Sequence, residues 1–351
     1  MKPGKKKLWI ILIVLPVTLI VVLQVVRHFY REKEQQTRTH IRETVKKKFP
    51  KEVNRFMATY GLKPFHHSKP SVSLVKQTRE VILIHGLDEP GKVWMNLAPA
   101  LVNEGFSVWI MTYPNDQPIA ESAHFFLKHL ALHNASEKKN ISIVAHSMGG
   151  LVVREMLTDS ALSYAEKAEK GELPHIEKFI MVGTPNNGSE LARLRVFTEF
   201  RDQLTSLFDE NYHWLQGIFD GAGEAGIDLI PGSRFLENLN SRAHPSNVNM
   251  IVIAGVMSPM QKNQLEVFTL NLEDKLQGNA RLAVKRMKKL LHSASNSVGD
   301  GLVSVDSARL PGVPFRVIQG THLSIIRNVR INSQRIPPAL PIIIEHLLTH
   351  F

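Results

Sequence analysis

Asn140-Ile-Ser-Ile-Val-Ala-His-Ser-Met-Gly-Gly150 is the stretch that decides how this chain reads. Ile141, Ile143 and Val144 are branched and apolar, as a strand buried on both faces needs. A sharp turn carrying Ser147 follows, and a helix is expected from about Leu151. Ala145-His-Ser-Met-Gly149 is the G-x-S-x-G pattern with Ala at its first position. Such a turn forces its serine into a strained backbone conformation, so the residues two before and two after must be small. Ala145 and Gly149 meet that requirement. The turn lifts the hydroxyl clear of the sheet and sets it at a helix N-terminus, where N–H groups and the helix dipole favour negative charge. The plainer alternative is a glycine-containing turn with an incidental serine.

Working outward, five more strands are expected: Arg79–Gly86, Gly105–Tyr113, Ile176–Gly183, Val248–Gly255 and Val313–Gly320. Helical stretches Val93–Asn103, Ile119–His133 and Leu151–Asp159 fall between the early ones. Strands alternating with helices predict an α/β fold, a mostly parallel sheet covered by helices on both faces. Ligand sites in such sheets lie at the C-terminal ends of the strands. Two longer stretches break the rhythm, around 187–245 and 258–298. The first, rich in Phe and Leu and including Trp214, reads either as a helical cap or as an ordinary packed layer. The second carries the basic amphipathic segment Leu276–Leu291, read as a solvated outer helix.

Composition narrows the function classes. The 351 residues include no cysteine, which excludes disulfides, thiolate metal sites and a cysteine nucleophile. The net charge is +11, but it is not spread evenly. Residues 1–80 hold 18 Lys and Arg against 5 Asp and Glu, whereas residues 81–351 hold 25 against 27. A nucleic-acid footprint would lie on the folded body, so no nucleic-acid partner is expected. A basic tail, residues 1–7, precedes the uncharged run Leu8–Val26. That run approaches the ~20 residues a membrane-spanning helix needs. Bulky Gln24–Tyr30 follows, with no small-x-small cleavage pattern, so 8–26 reads as a signal anchor, a cleaved signal peptide being the alternative. Lys2, Lys5, Lys6 and Lys7 lie on one side of the run and Arg27, Arg31, Lys33 and Arg38 on the other, so the positive charges are nearly balanced. A short lysine tail is hard to translocate, which favours a cytoplasmic N-terminus and a body outside the cytoplasm. Residues 27–75 read as a basic juxtamembrane stalk and 76–351 as the folded body.

A serine hydroxyl becomes a nucleophile when an imidazole takes its proton, and a carboxylate fixes that imidazole's tautomer. With the nucleophile on such a turn, the acid and then the histidine follow it in the chain. His322, in Gly320-Thr-His-Leu-Ser324 just past the last strand, is the candidate base. Asp300, between Gly299 and Gly301, is the candidate acid; Asp306 is its nearest rival and Asp228 a more distant one. Asn186 and Asn187 stand after the fourth strand, where a carboxylate would also serve, and cannot act as one. Oxyanion donors are expected from the Met148 N–H and from the loop after the first strand, at the Leu87 N–H. His85 as a general base is a competing reading of that loop.

The motifs His85-Gly-Leu87, Ala145-His-Ser-Met-Gly-Gly150, Gly183-Thr-Pro-Asn-Asn-Gly-Ser189, Pro231-Gly-Ser-Arg-Phe-Leu236, Asp300-Gly-Leu-Val303 and Thr321-His322 run in order through residues 80–325. In them the chain resembles the α/β-hydrolase superfamily. Within it, the chain resembles the bacterial lipase branch and the related acyl hydrolases of the lecithin:cholesterol-acyltransferase and glycosylphosphatidylinositol-deacylase type. The resemblance implies an esterase or lipase acting through Ser147, Asp300 and His322, without a cofactor. Some relatives hold a structural Ca²⁺ near the histidine; no matching carboxylate pair is assigned here, and no metal site is expected. The implied partners are a lipid or other acyl-ester substrate and, through residues 8–26, a membrane. Acyl transfer to another alcohol would use the same residues. A non-catalytic, membrane-tethered binding protein on the same scaffold is the alternative from another class.

Overall fold

The computed structural model describes residues 40, 43–45, 47–65, 79–87, 91–115, 117–133, 140–190, 224–257, 299–330 and 333–349. They fall into two units, within Met1–Met57 and Ala58–Phe351. In the first, Pro50 opens helix α1, Pro50–Met57. Proline is at home there, since the first N–H of a helix has no intrahelical acceptor.

The second unit is built on a seven-stranded sheet, of which the strand opening the decisive stretch, β4 (Asn140–His146), is the middle member. The others are β1 (Gly61–Pro64), β2 (Arg79–Ile84), β3 (Phe106–Thr112), β5 (His175–Val182), β6 (Asn249–Val256) and β7 (Phe315–Gln319). Their order is β1-β3-β2-β4-β5-β6-β7, all parallel except β1, which pairs antiparallel with β3. The six expected strands are present with ends moved by one to a few residues. β1 is an addition, and it lies inside the 27–75 stretch read as a stalk, so the sheet begins before residue 76. Its four residues include Gly61 and Pro64, and a strand so short has no alternation to read; proline is tolerated because the strand is an edge.

Alternation along the central strands divides the core in two. Ile82, Ile84, Ile143, Ala145, Phe179 and Met181 face one side. Val81, Leu83, Val144, Ile180 and Val182 face the other. Helix α2 (Leu97–Asn103) covers the second side with Leu97 and Leu101. Helix α3 (Ile119–His133) covers the first with Ile119, Ala123, Phe126, Leu127 and Leu130, a helical stripe. Helix α4 (Gly149–Thr158) joins it there through Leu151, Val152 and Met156. Burying each of these larger side chains contributes about 1.5–3 kcal/mol. Shorter helices α5 (Tyr164–Glu169), α6 (Glu224–Asp228), α7 (Arg234–Ser241) and α8 (Val305–Ala308) follow.

The last helix, α9 (Ala339–Leu348), packs on the second side. Its Ala339 N–H bonds the Ile325 carbonyl in the loop after β7. At its other end Lys178, near the start of β5, donates to the carbonyls of His346, Leu347 and Thr349 at 3.0, 2.9 and 2.6 Å. A lysine there satisfies carbonyls that a helix C-terminus leaves open. α9 therefore runs antiparallel to the strands and starts at their C-terminal edge.

Among the described residues no helix is long and apolar enough to cross a membrane. The anchor expected at 8–26 lies outside the described residues, as do 191–223 of the expected cap and the insert 258–298 with Leu276–Leu291.

Candidate active site

The sheet order creates a crevice. β2 and β4 are neighbours, yet the chain leaving β2 goes to β3 on one side and the chain leaving β4 goes to β5 on the other. Where connections part in this way, the C-terminal ends of the strands frame a ligand site. His85-Gly-Leu87 ends β2 at this point and Ser147 ends β4.

Ser147 has φ 55°, one of two non-glycine residues with positive φ among those described. That conformation costs on the order of 1–3 kcal/mol and persists only where the surroundings enforce it. The surroundings here do so. Its N–H bonds the Val182 carbonyl at 2.9 Å, and α4 begins two residues on. A Cβ on Gly149 would lie 2.6 Å from the carbonyl oxygens of both Ile84 and His85. Glycine is thus required for the end of β2 to meet the start of α4. Gly86 is packed as tightly: a Cβ there would be 2.6 Å from the Ser147 Cβ and 3.1 Å from the Met148 nitrogen. The two strand ends that carry the expected oxyanion donors, Leu87 and Met148, are therefore in contact.

Asp300 and His322 meet directly. His322 Nδ1 lies 2.7 Å from Asp300 Oδ2, and both side chains are buried. A carboxylate only accepts, so Nδ1 carries the proton and Nε2 is left as an acceptor. Asp300 is itself held: its Oδ1 accepts the N–H groups of Leu302 at 2.9 Å and Val303 at 2.8 Å. The backbones are tied too, His322 N–H to the Asp300 carbonyl at 2.9 Å. Gly183, which follows Val182, has φ 60°, and a Cβ on it would stand 3.2 Å from the His322 ring. Ser147, bonded to Val182 at the end of β5, and His322, packed on Gly183, thus rest on consecutive residues.

His146, beside the serine, supports the loop that carries His322. Its Nε2 donates to the His322 carbonyl at 3.0 Å, and the two rings are 4.7 Å apart. Burial, with His322 nearby, holds its pKa well below that of a free histidine, so it stays neutral.

The rivals stand elsewhere. Asp306 is exposed on α8. Asp228 is buried on α6, where its Oδ2 accepts the Ile119 N–H at 2.9 Å and caps α3. Burial pushes its pKa up to about 7. His85 is also buried, and desolvation brings its pKa down to about 4. Its Nδ1 bonds the Gly86 carbonyl at 2.7 Å, which turns it into the loop and away from the role of a base. Asn186 and Asn187 are structural. Asn186 joins Arg154 at 3.1 Å to the Ala308 carbonyl at 2.7 Å, and Asn187 reaches the carbonyls of Ser307 and Arg309. Arg154 also donates to Asn240 at 2.9 Å, so α4, α7 and α8 are fastened around one buried guanidinium. Nothing in the sequence around Arg154 announces this, because its partners are far away in the chain. Among the described residues no three His, Asp or Glu side chains gather to hold a metal ion.

Comparison with known proteins agrees with this architecture. The mature lipase BlEst2 of Bacillus licheniformis superposes with a TM-score of 0.50 at 18% identity, over 82% of this chain and 97% of that one. The phospholipase PlaB of Legionella pneumophila superposes with a TM-score of 0.52 at 17% identity, over 78% of this chain and 60% of that one. The fold is that of the α/β hydrolases. At these identities the likeness concerns the fold alone. Residues 119–230 of this chain match a domain family of unknown function, DUF7379. No curated protein matches the chain by sequence.

Proposed function

We propose that this chain, with its α/β-hydrolase fold, cleaves carboxylic esters, with lipid acyl esters as the substrate class, through an acyl-enzyme on Ser147. The observation that carries the reading is the hydrogen-bonded Asp300–His322 pair at the sheet edge where Ser147 is held at positive φ. Ser147 Oγ attacks the acyl carbonyl while His322 Nε2 takes its proton. Asp300 keeps the other ring nitrogen protonated and balances the imidazolium. The N–H groups of Leu87 and Met148 receive the oxyanion of the tetrahedral intermediate. His322 then gives its proton to the departing alcohol. Water, deprotonated by the same nitrogen, cleaves the acyl-enzyme, releasing the carboxylic acid and restoring the serine.

The lipid part of the reading is supported by the run Leu8–Val26, which would anchor the body to a membrane and place it beside its substrate. In this reading the body stands outside the cytoplasm and residues 187–245 cap the site. The test is a fluorophosphonate probe together with an ester panel, from short p-nitrophenyl esters to phospholipid. Folded wild type labels and turns over, and Ser147→Ala does neither. Folded wild type that takes no label overturns the proposal.

A further inference from the structure

We infer that His85 is the positioning residue of the oxyanion site: its imidazole N–H pins the Gly86 carbonyl and so aims the Leu87 N–H. The inference rests on the reading of Leu87 and Met148 as oxyanion donors. Its basis is peptide geometry. The Gly86 carbonyl and the Leu87 N–H belong to one planar trans peptide and point in opposite directions. Whatever fixes the carbonyl fixes the N–H. His85 Nδ1 lies 2.7 Å from that carbonyl oxygen, and since a carbonyl only accepts, Nδ1 bears the proton.

The imidazole is in turn held so that it cannot turn away. Tyr113, just past the end of β3, stacks on it with ring centroids 4.8 Å apart and planes at 22°. The Tyr113 hydroxyl donates to the His85 carbonyl at 2.6 Å, fixing the preceding peptide as well. Both rings are fully buried. The peptide so held is the one against the nucleophile, since Gly86 has no room for a Cβ beside Ser147 and the Met148 nitrogen. A glycine peptide is the least restrained of any in a chain, and this one must hold its orientation when negative charge develops. The side chain of the preceding residue supplies the restraint. His85 touches no substrate in this scheme and transfers no proton.

Two substitutions separate this role from packing. Asn carries its amide N–H where histidine has Nδ1, so His85→Asn retains the bond to Gly86. His85→Phe fills the space and loses the donor. The expected result is that His85→Phe lowers kcat on a p-nitrophenyl ester about 10- to 100-fold with KM little changed. Complete loss of one oxyanion donor costs about 10²–10³, which sets the upper bound. An alkyl boronic acid, whose tetrahedral adduct needs the same N–H, should bind more weakly by a matching factor. His85→Asn should restore both to within a few-fold of wild type. Should His85→Phe fail to fold, His85→Gln makes the same comparison, because its amide sits at the Nε2 position and misses the carbonyl. Loss of kcat shared by the Asn and Phe variants and tracking their melting temperatures would overturn the inference, as would full kcat in His85→Phe. Ser147→Ala separates the two levels: if it keeps wild-type turnover, the serine mechanism itself is refuted. If it is dead while folded His85→Phe is fully active, only the positioning role falls.

Discussion

Replacing Asp300 with asparagine tests the proposed mechanism at the atom where it is most exposed to failure. The two carboxylate oxygens have separate tasks. Oδ1 accepts two backbone N–H groups, from Leu302 and Val303, and Oδ2 accepts His322 Nδ1–H. Asparagine keeps an oxygen for the backbone pair, so its amide nitrogen falls opposite His322. Two donors cannot face each other, and the imidazole moves its proton to Nε2. That nitrogen can then no longer take the serine proton. Tautomer inversion of this kind lowers kcat about 10⁴-fold in the serine-protease template, equivalent to about 5 kcal/mol of barrier. The fold should lose far less, on the order of 1 kcal/mol, because no buried group is left unpaired. Asp300→Ala differs: it leaves the buried Val303 N–H without an acceptor, and its melting temperature should fall further than that of the asparagine variant. The assay is kcat on a p-nitrophenyl ester, normalised by active-site count, beside thermal unfolding. If Asp300→Asn folds as wild type and keeps kcat within tenfold, the assignment of Asp300 is wrong.

Asp306→Asn is the matched control; the side chain is exposed on α8, and both kcat and stability should stay at wild-type values. Gly86→Ala should abolish fluorophosphonate labelling, since its methyl group would stand 2.6 Å from the Ser147 Cβ, and normal labelling of a folded variant would contradict the packing of the two strand ends. Asp228 holds its proton to about pH 7 in the folded chain, against 3.8 unfolded, so its contribution is present below pH 3.8 and lost as pH rises through 7. That shift corresponds to about 4 kcal/mol, so urea unfolding at pH 8 should find Asp228→Asn more stable than wild type, with the difference vanishing near pH 4. His85 works in the opposite sense: with a folded value of about 4 against 6.5 unfolded, its contribution is present above pH 6.5 and is lost, about 3 kcal/mol in all, as pH falls through 4. The two slopes oppose each other between pH 4 and 6.5, and Asp228→Asn should reveal a steep loss of stability with acid that the wild type conceals.

How much of this was readable from the chain depends on whether the cause was local. The turn at Ser147 was legible because its requirements are steric and short in range: a branched strand, small residues on either side, a helix behind. The carboxylate between Gly299 and Gly301 was a reading of turn chemistry, and in the structure it is the one bonded to His322. The central strands were legible from their apolar runs. Their ends were not, because a strand stops where its neighbour no longer offers hydrogen-bond partners in register. β1 is not legible in the sequence, since four residues with a glycine and a proline carry no periodic signal, and the edge of β3 is what gives them a partner. Arg154 was out of reach for another reason. Its place on α4 looks like an ordinary charged helix position, and the partners that make its burial tolerable include Asn186 and Asn240, far away in the chain. Tyr113 likewise ends a strand like any aromatic residue, and its bond to the His85 carbonyl depends on β2 and β3 being adjacent.

The distance along the chain between Ser147 and its partners has a bearing on how the protein comes into being. Synthesis runs from the N-terminus, and domains fold as they emerge. β2, β3, β4 and the turn at Ser147 are complete while Asp300 and His322 have yet to be made. On the proposed mechanism, a nascent chain at that stage has a serine with no base. Only when β7 adds to the sheet edge and α9 packs on the sheet, its Ala339 N–H on the Ile325 carbonyl and its far end on Lys178, does the histidine loop gain its fixed seat. On the proposed mechanism the order of the parts therefore acts as a safety interlock: reactivity arrives only with the segment that carries β7, His322 and α9, after β2 to β6 have been made.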